Sequence, residues 1–357
     1  MKKMLSGTEL LRSLCMAFGP SGCEENVALM IKENIKGCYD ELVPDRMGGV
    51  IALIRGNGSS EERLMLSAHM DEVGFMIREI CEDGLLRFSS MMGSDTRIMA
   101  GRRVSVGNAD MQVRGVIALK PVHTVERADR GKAATLDELY IDIGASSREE
   151  AEKYVKIGDY GTFESDFVEF GEGGKLIKAK ALDDRLGCAV MIELMREIYT
   201  REERLPFDVY FAFTCREELG VSGARCASHK IRPHKALIFE ATAVADIHGV
   251  PEVSKVAERG CGGAISIMDR STIYDRDMVD MLLETAKAKN IPCQIKKYVS
   301  GGNDAGHIHK AAHGTKCAVI SAPCGYIHTA SDVIAKEDYN SIYSLALAAI
   351  ERMGEDA

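Results

Sequence analysis

Residues 207–223 read FDVYFAFTCREELGVSG. The alternating apolar positions Val209, Phe211 and Phe213 mark a strand bound for the interior. Two adjacent carboxylates, Glu217 and Glu218, follow it, and a glycine-containing turn runs on to Gly223. Open α/β sheets place their ligand sites beyond the carboxyl ends of such strands. Neighbouring carboxylates repel unless a cation lies close. The pair therefore reads as one acid holding a cation while the other handles a proton.

Outward from this stretch, short strands alternate with helices. Upstream, a helix is expected over 7–17, with Leu10, Leu11, Leu14 and Cys15 on one face. Ser21 and Glu24 have capping-box spacing for a second helix to about Ile35. Strands are expected over 41–45, 50–55 and 63–68, the last running into Ala68-His69-Met70-Asp71-Glu72. Downstream, Asp183 precedes a helix over 184–199. Further strands are expected over 208–214, 236–240, 264–267, 294–299 and 317–321, with helices over 275–289, 304–312 and 336–353. This order argues α/β layers around a largely parallel sheet. Between 74 and 164 helical periodicity fades. Alternating stretches such as 75–80, 103–106 and 112–120 point to a small inserted β domain or barrel, with a charged loop over 124–140 and a short helix over 147–154. The catalytic domain is then 1–73 and 165–357, split by the insertion 74–164.

Composition narrows the function. The chain has 357 residues, 46% hydrophobic, with 45 basic and 54 acidic residues and a net charge of −9. It has no basic stripe of the kind nucleic acids require and no apolar run near the ~20 residues of a membrane span. The start, MKKMLSGTELLRSLCMAF, reads as an amphipathic helix and not as a signal peptide. Eleven scattered cysteines, without a CxxC pair, read as reduced thiols in a cytoplasmic protein. Tryptophan is absent, which leaves no strong aromatic platform for sugars or bases.

The metal-ligating residue types fall at element ends: His69, Asp183, Glu217 and Glu218, Glu240 and His328. Two imidazoles with three or four carboxylates suit zinc, cobalt or manganese better than magnesium or calcium. That set exceeds the needs of one tetrahedral ion and favours two ions sharing a carboxylate. Asp71, two residues after His69, is placed to orient the imidazole through its other nitrogen.

Six motifs, SAHMDEVGFMI (67–77), KALDDRLGCAV (180–190), TCREELGVSGA (214–224), EATAVAD (240–246), GGNDAGHIH (301–309) and PCGYIHT (323–329), together resemble the M42 family of metallo-aminopeptidases, some of whose members are labelled endoglucanases. The resemblance covers nearly the whole chain. It implies a three-layer αβα catalytic domain and an inserted oligomerisation domain. It also implies a homo-oligomer, a dodecamer built from dimers, that trims N-terminal residues from short peptides with two zinc or cobalt ions per subunit. Asp183 would bridge the ions, His69 and Glu240 would complete one, and Glu218 and His328 the other. Glu217 would be the general base for the attacking water, and Asp71 would steer His69. Many members have Asp where this chain has Glu240, with Asp246 a weaker rival for that role. Asn303 stands where Thr is usual and Gly49 where Asn is common. Asn303 and His309 are the candidate substrate contacts.

Plainer readings apply elsewhere. Asp184 reads as a helix cap or a partner of Arg185. His123, His229, His234, His248, His307 and His313 read as surface or packing residues, and Cys188 and Cys215 as packing. The competing functions are a related hydrolase of N-acyl compounds, a glycosidase, which also needs two carboxylates, and a metal-binding protein without catalysis.

Overall fold

A computed structural model describes residues 4–91 and 95–357. The first three residues of the expected N-terminal helix region, and 92–94 within the insertion, lie outside the described residues.

Eight strands form the main sheet, in the spatial order Glu41–Val43, Val50–Ile54, Asp208–Thr214, Arg63–His69, Lys235–Ala243, Lys316–Cys324, Gly263–Ile265, Cys293–Ile295. The four central strands, from Asp208–Thr214 to Lys316–Cys324, run parallel. Antiparallel steps flank them on both sides, so the parallel character is concentrated in the middle. These central strands are buried along almost their whole length, as expected when helices cover both faces. Leu182–Tyr199 packs on the middle strands and on Gly7–Met16 and Lys336–Glu355, while Ser222–Ile231 and Ala305–Ile308 pack together elsewhere on the sheet.

Register sets up the site. Thr214 pairs with His69, Ser67 with Ile238, and Glu240 with Ser321. Two residues beyond the Ser67–Ile238 pair, His69 and Glu240 come level at the carboxyl edge of the sheet.

Six further strands, Phe75–Ile80, Leu86–Ser90, Tyr140–Asp142, Gln112–Ala118, Arg103–Gly107 and Tyr160–Phe163, close into a barrel whose neighbours are all antiparallel. It has its own apolar centre, in which the Phe75 and Phe88 rings lie 5.1 Å apart. Gly161 is required there, because a Cβ would stand 1.9 Å from the Phe75 ring. The loop 124–140 is mostly exposed and holds hydrogen-bonded turns, among them Leu136–Glu138 just before the next strand.

Several elements differ from expectation. The helix expected over 304–312 is a single turn, Ala305–Ile308, because the chain folds back through left-handed Ala312 and Gly314 to bond Thr315 to His309. The strand expected over 294–299 is Cys293–Ile295. The second helix spans Glu25–Asn34 with Glu24 as its cap residue, and no capping box forms. Ser21 is diverted instead to Asp71, 50 residues away.

A buried ionic network joins barrel and sheet. Both carboxylate oxygens of Glu72 accept from Lys180 Nζ, at 2.6 and 2.7 Å, and Oε2 also accepts the hydroxyl of Thr162 in the barrel at 2.8 Å. Arg185, fully buried, donates to the carbonyls of Met70, Leu14 and Gly19 and lies 3.4 Å from Glu72. Buried charges survive only when paired and hydrogen-bonded, and these satisfy both conditions.

Candidate metal centre

His69 ends its strand, and Glu240 lies in the carboxyl-terminal half of Lys235–Ala243. Asp183 sits in the distorted first turn of Leu182–Tyr199, after left-handed Ala181, and its peptide to Asp184 is cis. Glu217 and Glu218 occupy the turn after Asp208–Thr214, entered through left-handed Arg216. His328, also left-handed, lies in the turn after Lys316–Cys324.

These turns bring the side chains together. One donor atom each from His69, Asp183 and Glu218 lies within 4.8 Å of the others. His69 Nε2 stands 3.2 Å from Asp183 Oδ1 and 4.0 Å from Glu240 Oε2. His328 Nε2 stands 3.3 Å from Asp183 Oδ2 and 3.3 Å from Glu218 Oε1. Asp183 thus faces an imidazole on each side, with Glu240 beyond one and Glu218 beside the other.

Asp71 is buried beneath them. His69 Nδ1 is 3.1 Å from the Asp71 carbonyl and 3.4 Å from Oδ1. The same carboxylate accepts the backbone N–H groups of Glu217 at 3.0 Å and Glu218 at 3.1 Å, and the Ser21 hydroxyl at 2.5 Å. It therefore steadies both the histidine and the turn that carries the two glutamates.

The electrostatics call for a cation. Burial, with repulsion from neighbouring acids, pushes Glu217 and Glu240 well above the usual carboxylate range and Glu218 up to about 7. For His69, burial favours the neutral ring, but Asp183, Asp71 and Glu240 outweigh it and raise its pKa well above normal. His328 is held at about 9 by Asp183 and Glu218 against the opposing effect of burial. Burial opposes the charge on Asp183 as well, but contacts with His328 and His69 keep its pKa low. Glu218 Oε1 is buried without a hydrogen bond, although His328 is near. An orphaned carboxylate oxygen beside two imidazoles and further acids fits a divalent ion of the zinc or cobalt type.

Other expectations divide. Asp184 caps its helix through Gly187 N and accepts from His69 N, while Arg185 turns to backbone carbonyls and Glu72. Asp246 pairs with Arg259 at 2.7 Å. Cys188 and Cys215 are buried, donate to carbonyls, and are held protonated chiefly by burial. Asn303 is buried and spends its amide on Tyr274, Asp269 and the N–H of Ala305. His309 is not brought to the cluster. It lines a cavity of about 820 Å³ with Lys235 and Lys316, which open their strands at the opposite edge of the sheet. The short turn after Asp304 carries it there.

Sequence reasoning missed two residues. Asp304, beside Asn303, is buried and accepts the hydroxyls of Thr214 at 2.6 Å and Ser67 at 3.2 Å, joining the two strands just before His69 and the Glu217–Glu218 turn. Its place in the quoted GGNDAG motif was the available signal. Ser21 carried a signal for a different role.

The family model for M42 glutamyl aminopeptidase matches residues 48–345. A curated relative from Acetivibrio thermocellus, a putative aminopeptidase, is 38% identical, with 96% of this chain and 98% of that protein covered. The crystal structure of a TET aminopeptidase from Thaumarchaeota archaeon SCGC AB-539-E09 superposes with a TM-score of 0.93 at 33% identity, covering 98% of this chain and 96% of the other. The TET1 peptidase of Pyrococcus horikoshii, described as assembling into a tetrahedron or a large octahedral shell, gives 0.84 at 31% identity over 95% and 98%.

Proposed function

This chain belongs to the M42 glutamyl aminopeptidase family, and we propose that its aminopeptidase activity depends on two divalent ions, zinc or cobalt, held around Asp183. His69 and Glu240 complete one ion's ligands, and Glu218 and His328 the other's. The observation that carries this reading is the convergence of His69, Asp183 and Glu218 within 4.8 Å, flanked by one more candidate ligand at each end. When bound, the ions would lower the pKa of a water and polarise the scissile carbonyl.

The remaining steps belong to the protein. Glu217 lies beside the ligands with its backbone N–H on Asp71. Its raised proton affinity suits a general base that takes a proton from the attacking water and returns it to the departing amine. Asp71 keeps the imidazole of His69 oriented and the glutamate turn in place. A free α-amine on the peptide could bind an ion or a nearby carboxylate, and comparing free with N-blocked substrates separates this reading from an N-acyl hydrolase. The two imidazoles among the acids separate it from a glycosidase.

We assign the insertion 74–164 to assembly, as a homo-oligomer built from dimers up to a dodecamer. Exposed apolar side chains on and beside the barrel, Met111, Val116, Leu119 and Val122, support an interaction role. Eleven scattered cysteines, all free thiols, support a cytoplasmic site of action. Among the described residues no helix is long and apolar enough to cross a membrane. Glu217→Gln tests the base assignment. Turnover of an aminoacyl p-nitroanilide should vanish while bound metal stays near normal. Substantial residual activity would remove Glu217 from that role.

A further inference from the structure

Residues 19–24 form a loop between the first two helices, with no ligand among them, yet they grip the site from two sides. Pro20 makes a parallel bridge to Glu72, Ser21 N donates to the Glu72 carbonyl, and Glu72 N donates to the Gly19 carbonyl. Ser21 is 1% exposed and its hydroxyl donates to Asp71 Oδ2 at 2.5 Å. Glu24 Oε1 accepts Gly22 N at 2.8 Å and, across the site, Arg216 N at 3.0 Å. Gly22 permits this path with its φ of +89°, and the barrel's Tyr160 backs it closely.

Three successive backbone N–H groups, those of Arg216, Glu217 and Glu218, are therefore each held by a side-chain carboxylate, the first by Glu24 and the other two by Asp71. Thr214 is the last residue of the ladder before them. Backbone bonds from Val221, Ser222 and Gly223 close the turn from its carboxyl side, and these two acids hold it from the other, Glu24 from within the loop and Asp71 through Ser21. The χ2 torsion of an aspartate is intrinsically soft. With the Ser21 hydroxyl in place, Asp71 Oδ2 accepts two donors and the carboxylate plane is fixed. Without it, that oxygen keeps only Glu218 N, and the turn gains freedom to rotate.

We propose that Ser21 is a positioning residue for the Glu217–Glu218 turn, acting through the orientation of the Asp71 carboxylate. The proposal rests on Glu217 as base and Glu218 as ligand. Ser21 is buried, lies outside the proposed ligand set, and spends its hydroxyl on Asp71. Through Asp71 it would hold the orientation of the turn that carries Glu217 and Glu218.

The test compares Ser21→Ala and Ser21→Cys with the unaltered full-length protein, each loaded with cobalt, with native mass, metal content, visible absorption and anilide kinetics measured together. Cysteine keeps the size of serine but donates weakly. The expected result is a fall in kcat of about tenfold to a hundredfold for Ser21→Ala, the range for residues that support ligands from behind. Ser21→Cys should lie between it and the parent. KM should stay within about twofold, metal content and native mass should be unchanged, and the cobalt absorption should shift as Glu218 reorients. Parental kcat in both variants would overturn the proposal, as would losses that merely track lost metal or lost assembly. Glu217→Gln, run alongside, separates the two levels. If it is inactive while both serine variants are fully active, only the Ser21 proposal falls. If it is active, the reading beneath falls.

Discussion

Replacing Asp71 with asparagine changes one oxygen and tests how the site is held. The carboxylate is fully buried and every partner is a donor: Glu217 N and His69 Nδ1 at Oδ1, Ser21 Oγ and Glu218 N at Oδ2. Whichever position the amide nitrogen takes, a donor faces a donor. At least one charge-assisted hydrogen bond is lost, about 1.5–3 kcal/mol, and one buried donor is left without a partner, about 1–3 kcal/mol more. The sum is roughly 2.5–6 kcal/mol. With an unfolding entropy of about 2.1 cal/mol/K per residue over 357 residues, this lowers Tm by about 3–8 °C. Chemistry should suffer more than stability, because the displaced groups are Glu217 and Glu218, the proposed base and a proposed ligand. Support residues of this kind cost about 10–100-fold each, and Asp71 supports both His69 and the glutamate turn. The expected fall in kcat/KM is therefore about 10²–10⁴-fold at saturating metal. Steady-state hydrolysis of aminoacyl anilides, with a metal titration and a thermal scan, reads all three quantities. Activity within about threefold of the parent would refute the idea that Asp71 fixes the turn.

Lys180→Met should leave Glu72 with Arg185 as its only cation and cost about 3–5 kcal/mol, and adding Glu72→Leu should not restore the loss, because Arg185 is then buried without its carboxylate; denaturant titration checks the pair, and a Lys180→Met variant as stable as the parent would contradict it. Metal-free protein should lose stability as pH rises. Glu218, at about 7 when folded against an ordinary 4.5, and His328, at about 9 against 6.5, both bind protons more tightly in the folded state. Their contribution is complete below the unfolded values and fades through about pH 5 to 9, while the lowered groups Asp71 and Asp183 titrate below that window. Calorimetry in chelator should show Tm falling across this range, and a rising Tm would be the contrary result.

Much of the molecule is legible in its sequence because apolar strand runs end in polar residues at one sheet edge. Val209, Phe211 and Phe213 place Glu217 and Glu218, and the run from Leu64 to Ala68 places His69. The barrel was legible as alternation, but its closure depends on pairings such as Arg103–Val116 and Val104–Phe163, which local pattern does not specify. Ser21 was misread because serine three residues before glutamate also occurs at helix starts, and only the fold shows its hydroxyl reaching Asp71. Glu72, Lys180 and Arg185 look like surface charges until packing buries them. His309 lay in the right motif, but a single helical turn was enough to carry it to the other edge.

The most direct measurement is anomalous scattering from crystals of the full-length protein soaked in zinc. Two peaks about 3.5–4 Å apart are expected, with Asp183 between them, His69 and Glu240 on one, Glu218 and His328 on the other, and Glu217 on neither. A single peak, or ions bound away from Asp183, would contradict the two-ion centre.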